Sequence, residues 1–173
     1  MWLEYFRKWA RSYDRETKTY GYEPWKLLKH FLHDIGRRER GLDVGCGTGR
    51  SLEALARICR KVAGVEPVEK MARQAEARGF EVLRLRGEEL QKIGEKFDLI
   101  TFFASIDYMD AGMAARGCLK ILAPGGLVFL TVEPQNEQRV LEAFRDFKVV
   151  KRRMARAYEG QRYVCLLLSA AKS

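Results

Sequence analysis

The sequence predicts a three-layer α/β/α domain on a seven-stranded, mostly parallel sheet, and three observations carry that expectation. From residue 41 to about residue 146, short apolar runs alternate with amphipathic helix-like runs, the pattern of strands joined by crossover helices. Three glycines, Gly45, Gly47 and Gly49, separate the first apolar run from the first helical one. The chain then closes on two β-rich runs, 147–158 and 162–171, joined by Glu159, Gly160 and Gln161, which is hairpin chemistry. The 173 residues suit a single domain, 1–173, with one sizeable core.

Taken in order, residues 2–13 set Trp2, Phe6, Trp9 and Tyr13 at helical spacing, with Arg7, Lys8 and Arg11 between them. A looser stretch follows to Pro24, which suits the first turn of a second helix. That helix carries Trp25, Leu28, Phe31, Leu32 and Ile35 on one stripe and ends at Gly36. Residues 1–36 thus form a helical cap on a core of residues 41–173. Core packing is the preferred role of the first helix, ahead of a lid or of membrane docking through Trp2, Phe6 and Trp9. Tyr13, Tyr20, Tyr22 and Trp25 are lid candidates, with core packing the better reading for Trp25.

Within the core, strands are expected at 41–44, 62–67, 80–86, 97–104 and 127–134. Helices are expected at 49–61, 68–79, 109–122 and 136–146, with APGG at 123–126 as a turn. In open parallel sheets, ligands bind beyond the carboxyl ends of the strands, where the glycine turn would sit.

Composition narrows the class. No window is apolar enough to span a bilayer, and the charged start does not read as a secretory leader, so a cytoplasmic location is expected. Cys46, Cys59, Cys118 and Cys165 are scattered and read as free thiols. With only His30 and His33 besides, no metal site is expected. The net charge is +9, and residues 139–173 hold nine Lys/Arg against three Asp/Glu. The cluster around Arg152 and Arg153 reads first as protection of a sheet edge and second as a surface for RNA. High charge with a single asparagine, Asn136, is a compositional mark of a thermophilic source.

The glycine turn is not a dinucleotide fingerprint, because Arg50 stands where GxGxxG needs its third glycine. It is not a P-loop either, since no GK pair follows. A second signal is Glu66, one strand–helix–strand unit further on, at the carboxyl end of the next strand. A carboxylate there can accept hydrogen bonds from both ribose hydroxyls. It can equally serve the N-terminus of the following helix.

Together these features resemble the class I S-adenosylmethionine-dependent methyltransferases, in their type 11, quinone- and small-molecule-like branch. LDVGCGTGRSL looks like their first motif and VAGVEPVEKM like their second. KFDLITFFASIDYM is similar to the fourth-strand motif, CLKILAPGGLVFLTVEP to the fifth-strand motif, and WARSYD to an entry segment. The resemblance implies the Rossmann-like strand order 3-2-1-4-5-7-6 with an antiparallel last hairpin, and S-adenosylmethionine as cofactor. It implies that Asp43, Gly45, Cys46 and Gly47 line the methionine end, while Gly49 lets the helix pack closely. Glu66 would hold the ribose, with Pro67 and Val68 beside the adenine, and Phe103 and Ala104 completing the site. The acid the family often places after the third strand is replaced by Arg86, followed by Gly87 and Glu88, which become the candidates to read the adenine.

After the fourth strand, Asp107 is the candidate base, with helix capping as its alternative, and Tyr13 is the other catalytic candidate. FASI replaces the NPPY-type signature of enzymes acting on planar exocyclic amines, which argues against that group. No inserted substrate domain separates the motifs, so a small-molecule acceptor is expected first. The alternatives are an RNA or protein methyltransferase using the basic hairpin and a non-catalytic cofactor-binding protein.

Overall fold

The computed structural model describes residues 1–171; residues 172 and 173 lie outside the described residues. Its sheet has seven strands: β1 (Arg38–Val44), β2 (Cys59–Val65), β3 (Glu81–Leu83), β4 (Phe97–Phe102), β5 (Leu122–Val132), β6 (Phe147–Tyr158) and β7 (Gln161–Ala170). Their order is β3-β2-β1-β4-β5-β7-β6, parallel except at β7, which runs antiparallel to both neighbours. The fold is therefore the expected one, strand order included.

Helices α1 (Trp2–Trp9), α2 (Tyr13–Thr19), α3 (Pro24–Leu28) and α4 (Leu32–Ile35) precede the sheet. The crossovers are α5 (Arg50–Leu55), α6 (Glu69–Ala77), α7 (Ala111–Ile121) and α8 (Glu137–Ala143). One sheet face packs Val128, Leu130, Leu166 and Leu168 against α7 and α8. The other packs Phe129, Cys165 and Leu167 against Leu27, Phe31 and Ile35 of the cap. The inner strands are buried on both faces, which is why they read as continuous apolar runs.

The differences from the sequence reading lie at element ends. Helix α5 stops at Leu55, because Cys59 is already paired with Arg38 in the β1–β2 ladder. Strand pairing there overrides the helical propensity of residues 56–61. Strand β3 keeps only three residues, since it has one neighbour and the chain turns away after Leu83. Strand β5 absorbs the APGG turn, with Gly125 in the left-handed region and the β4 ladder slipping between Phe97 and Leu99.

The cap is the larger correction. The stretch after Tyr13 is helical, because the Trp9 indole donates to Glu16 (2.5 Å) and Thr17 back-bonds to the Tyr13 carbonyl. A 3-10 turn, Lys29–Phe31, breaks the expected second helix. Helix α1 has no fully buried residue; its Leu3 and Phe6 are partly buried against Ala10, Val68 and Met71. Trp25 does pack in the core, beneath the Arg57 guanidinium.

In the basic hairpin, Arg152 donates twice to Glu137, and Lys151 donates to Asp34. No helix among the described residues is long and apolar enough to cross a membrane.

Candidate active site

The glycine turn after β1 adopts left-handed backbone at each of its glycines: Gly45 at φ +77°, Gly47 at +56° and Gly49 at +95°. Two of them are also crowded. A Cβ on Gly45 would lie 2.6 Å from that of Ser105, and one on Gly49 would lie 3.0 Å from the Ala75 backbone of α6. The turn is bolted to the end of β2. The Gly45 and Cys46 N–H groups donate to the Val65 carbonyl, at 2.7 and 3.1 Å.

Glu66 extends that attachment. One carboxylate oxygen accepts from Gly47 N–H (3.0 Å), and the other accepts from Val68 N–H (2.8 Å) at the start of α6. The side chain is buried yet lines the cavity above the turn. Burial pushes its carboxyl upward, and the two N–H donors oppose that shift.

Asp43 sits beneath the turn. It is fully buried and accepts hydrogen bonds from the Ser51 and Thr101 hydroxyls, the latter at 2.7 Å. Burial pushes its carboxyl up to about 7, with the hydroxyl bonds pulling the other way. Asp43 does not line the cavity, so it braces the turn rather than facing a ligand. Cys46 lines only a small neighbouring cleft, Gly49 serves helix packing, and Val68 packs against Ala10 and Met71.

The structure brings together Tyr13, Gly45, Gly47, Glu66, Pro67, Gly87, Glu88, Phe103 and Ala104 around one cavity. Glu88 holds the Asp110 N–H with one oxygen (2.9 Å), while its other oxygen is buried without a partner. Such an orphaned acceptor is costly unless a ligand donor completes it. Gly87 admits Met109, whose sulfur would lie 2.2 Å from any Cβ there.

Ala104, after β4, is the sole non-glycine residue with positive φ (+50°) among the described residues. Its N–H donates to Thr131 (2.8 Å), and the Ser105 hydroxyl donates to the Val44 carbonyl (2.6 Å). These bonds to β5 and β1 hold a strained corner at the cavity wall, where strain tends to mark function.

The cap closes the other side. Trp2 and Phe6 of α1 line the cavity, and the Phe6 ring meets Tyr108 edge-on at 5.2 Å. Helix α2 is tied directly to the glycine turn. Thr48 donates to Asp14 (2.5 Å), and Arg50 donates to Thr17 (2.8 Å) and to the Tyr22 carbonyl (2.7 Å). Arg50, the residue that spoils the dinucleotide pattern, is thus the clamp for the cap. Asp14, in the SYD stretch, was the available signal for this attachment.

Asp107 does not reach the cavity. Its oxygens accept from Glu133 N–H (3.1 Å) and the Asn136 amide (2.9 Å). The helix-cap alternative also fails, since Asp110 caps α7 by accepting from Met113 N–H (2.8 Å). Replacing Asp107 by alanine should therefore leave turnover within a few-fold while lowering the melting temperature. Losing a general base would instead cost about 10²–10⁴ in rate. Steady-state kinetics and a thermal melt on the same variant separate the two.

Residues 42–130 match a family model described as a methyltransferase domain, a stretch that is just over half of the chain. The chain belongs to this methyltransferase family. It falls in the class I, S-adenosylmethionine-dependent superfamily, type 11 branch. A ubiquinone biosynthesis O-methyltransferase from Rhizobium etli is 35% identical over 98 residues, covering 53% of this chain and 40% of that enzyme. The chain spans about two fifths to half of the curated relatives it matches, 40% in that case and 48% for the Agrobacterium fabrum counterpart. Among solved structures, an S-adenosylmethionine-dependent methyltransferase from Clostridium acetobutylicum superposes with a TM-score of 0.76 at 14% identity, covering 95% of this chain and 98% of that one. A Thermotoga maritima protein described as a possible histamine N-methyltransferase gives 0.73 at 21% identity, covering 98% and 99%. These two likenesses confirm the fold of the methyltransferase domain.

Proposed function

We propose that this methyltransferase domain moves a methyl group from S-adenosylmethionine to a small-molecule acceptor. One observation carries the cofactor reading. In a chain of net charge +9, the cavity is lined by two carboxylates, Glu66 and Glu88, and by no lysine or arginine among the described residues. Such a cavity favours a cation and rejects a pyrophosphate. S-adenosylmethionine brings a sulfonium, an ammonium and two ribose hydroxyls, and the donor and acceptor set suits it.

On this reading Glu66 accepts from the ribose hydroxyls with the lone pairs left free by Gly47 and Val68. The unpartnered Glu88 oxygen accepts from the adenine amino group, taking the role of the acid absent at Arg86. Pro67 and Met71 supply apolar walls. The backbone of Gly45 and Gly47 lets the methionine portion approach. When bound, the cofactor supplies an electrophilic methyl group on a good leaving group. The chain's own contribution is alignment, and holding reactants in line is worth up to ~7–11 kcal/mol. Tyr13 is pushed above its ordinary pKa by burial, so at neutral pH its hydroxyl donates a hydrogen bond rather than acting as a base.

The small-molecule assignment is supported by the named activity of the curated relatives and by an apolar cavity under α1. The pairing of Arg152 and Lys151 with Glu137 and Asp34 supports edge protection over an RNA surface. Buried, free cysteines support a reducing, cytoplasmic setting.

Calorimetry tests the reading. S-adenosylmethionine and S-adenosylhomocysteine should bind and NAD should not. NAD binding with no S-adenosylmethionine binding would overturn it.

A further inference from the structure

The tip of the C-terminal hairpin holds an arrangement that edge protection does not explain. Arg156 of β6 and Arg162 of β7 are direct cross-strand partners. Like charges placed opposite each other on antiparallel strands destabilise the pair. Further along the strand, Arg152 is neutralised by Glu137 and Lys151 by Asp34, while Lys148 and Arg153 face no like charge across the ladder. Among the described residues, neither the Arg156 nor the Arg162 guanidinium has a carboxylate or hydrogen-bond partner. The ladder also slips between Arg156 and Tyr158, and such bulges re-aim side chains. An uncompensated local repulsion in an otherwise consistent sheet is a mark of function.

The position of the pair says which function. Both arginines line a cleft of about 410 Å³, together with Glu133, Gln135 and Gln161. The cleft lies at the carboxyl end of β5, on the same rim of the sheet as the cavity. Glu133 joins the two spaces. Its N–H is held by Asp107, whose chain neighbour Tyr108 lines the cavity. Burial and then the Glu133 carboxylate raise the Tyr108 hydroxyl, and Tyr163 is raised by burial and by Tyr158, Tyr108, Glu133 and Tyr13.

We propose that this cleft is a subsite for an anionic group, a carboxylate or phosphate, carried by the methyl acceptor and gripped between Arg156 and Arg162. The word acceptor rests on the methyltransferase reading; the anion site does not. An anion between two guanidinia turns their repulsion into two charge-assisted contacts, and the planar fork of arginine suits both oxyanions. The rest of the acceptor extends past Tyr108 to the cavity. Glu133, which also lines the cleft, repels a second negative charge, so the acceptor is anionic at one end only.

Phenyl phosphate, benzoate and neutral benzyl alcohol, titrated into the full chain saturated with S-adenosylhomocysteine, test this. One of the two anions should bind and benzyl alcohol should not, and the better anion tells phosphate from carboxylate. The double variant R156Q/R162Q should weaken that binding about tenfold or more, while E133Q tightens it. S-adenosylhomocysteine affinity should stay unchanged in R156Q/R162Q, and its melting temperature should hold or rise as the repulsion is removed. Equal anion binding by wild type and R156Q/R162Q, or none by wild type, overturns the proposal. So does a short single-stranded RNA that binds more tightly than either probe and loses affinity on replacing Lys148 and Arg153. If S-adenosylhomocysteine fails to bind wild type, the methyltransferase reading falls, and titration of the two anions without it still decides the arginine site.

Discussion

Glu66→Ala should weaken S-adenosylmethionine binding by about 10- to 150-fold and also lower the melting temperature. The affinity loss follows from the proposed charge-assisted hydrogen bonds to the ribose, worth roughly 1.5–3 kcal/mol, with about 1.4 kcal/mol per tenfold. The stability loss follows from the structure, because the same carboxylate holds the Gly47 and Val68 N–H groups. Orphaning buried donors costs roughly 1–3 kcal/mol, and for a chain of this size each kcal/mol shifts the midpoint by about 2–4 °C. Glutamine should not rescue the affinity. Its single carbonyl can serve one of the two backbone donors, which leaves its NH₂ facing the other. Affinity measured by calorimetry and stability by thermal melt should fall together. Lowered stability with normal affinity would confine Glu66 to bracing the turn.

Asp43 should give the methyltransferase domain a stability that declines as pH rises from about 4 to about 7. Its carboxyl stands at about 7 in the folded chain against an ordinary 3.8, chiefly through burial. Between those values the folded state holds a proton that the unfolded chain has released, so stability drops with rising pH and then levels off. A shift of about three units corresponds to about 4 kcal/mol, on the order of 10 °C. Asp43→Asn keeps an acceptor, and the Ser51 and Thr101 hydroxyls can rotate to suit its amide. The melting curve of the variant should lack this decline. Subtracting it from wild type removes the contribution of exposed carboxylates such as Glu69, held low near 2 by Arg84 and Arg73. A difference that stays constant from pH 4 to 7 would show that Asp43 is ionised throughout.

The parts of the site that were legible in the sequence are those set by local pattern. A strand, a glycine turn and a helix occupy neighbouring residues, and Glu66 lies one such unit further on, so both could be placed without coordinates. Gly87, Glu88, Phe103 and Ala104 came from the family resemblance, which points to the residues after the third and fourth strands. The positions of Asp43 and Asp107 were not legible, because each is decided by partners distant in the chain. Asp43 meets Thr101, and Asp107 meets Asn136. The strain at Ala104 is equally silent, since alanine at a strand end gives no sign of left-handed backbone. The surroundings of the cap were hidden for a related reason. Aromatic residues at helical spacing signal an apolar face, and nothing local says whether that face meets a core or a cavity.

The clamp formed by Arg50 and Asp14 has a consequence for time. It makes α2 and the glycine turn a single opening unit, because neither can move without breaking polar bonds to the other. Helix α1 is fastened by apolar contacts of Leu3 and Phe6, by the Gln74 amide on the Ala10 carbonyl at its end, and by the Trp9 indole on Glu16 of α2. Helix α1 thus hangs on the clamped unit through a single side-chain hydrogen bond to α2, and it belongs to a lower tier of local stability. Local opening should then begin at the eight residues of α1 and reach the glycine turn last.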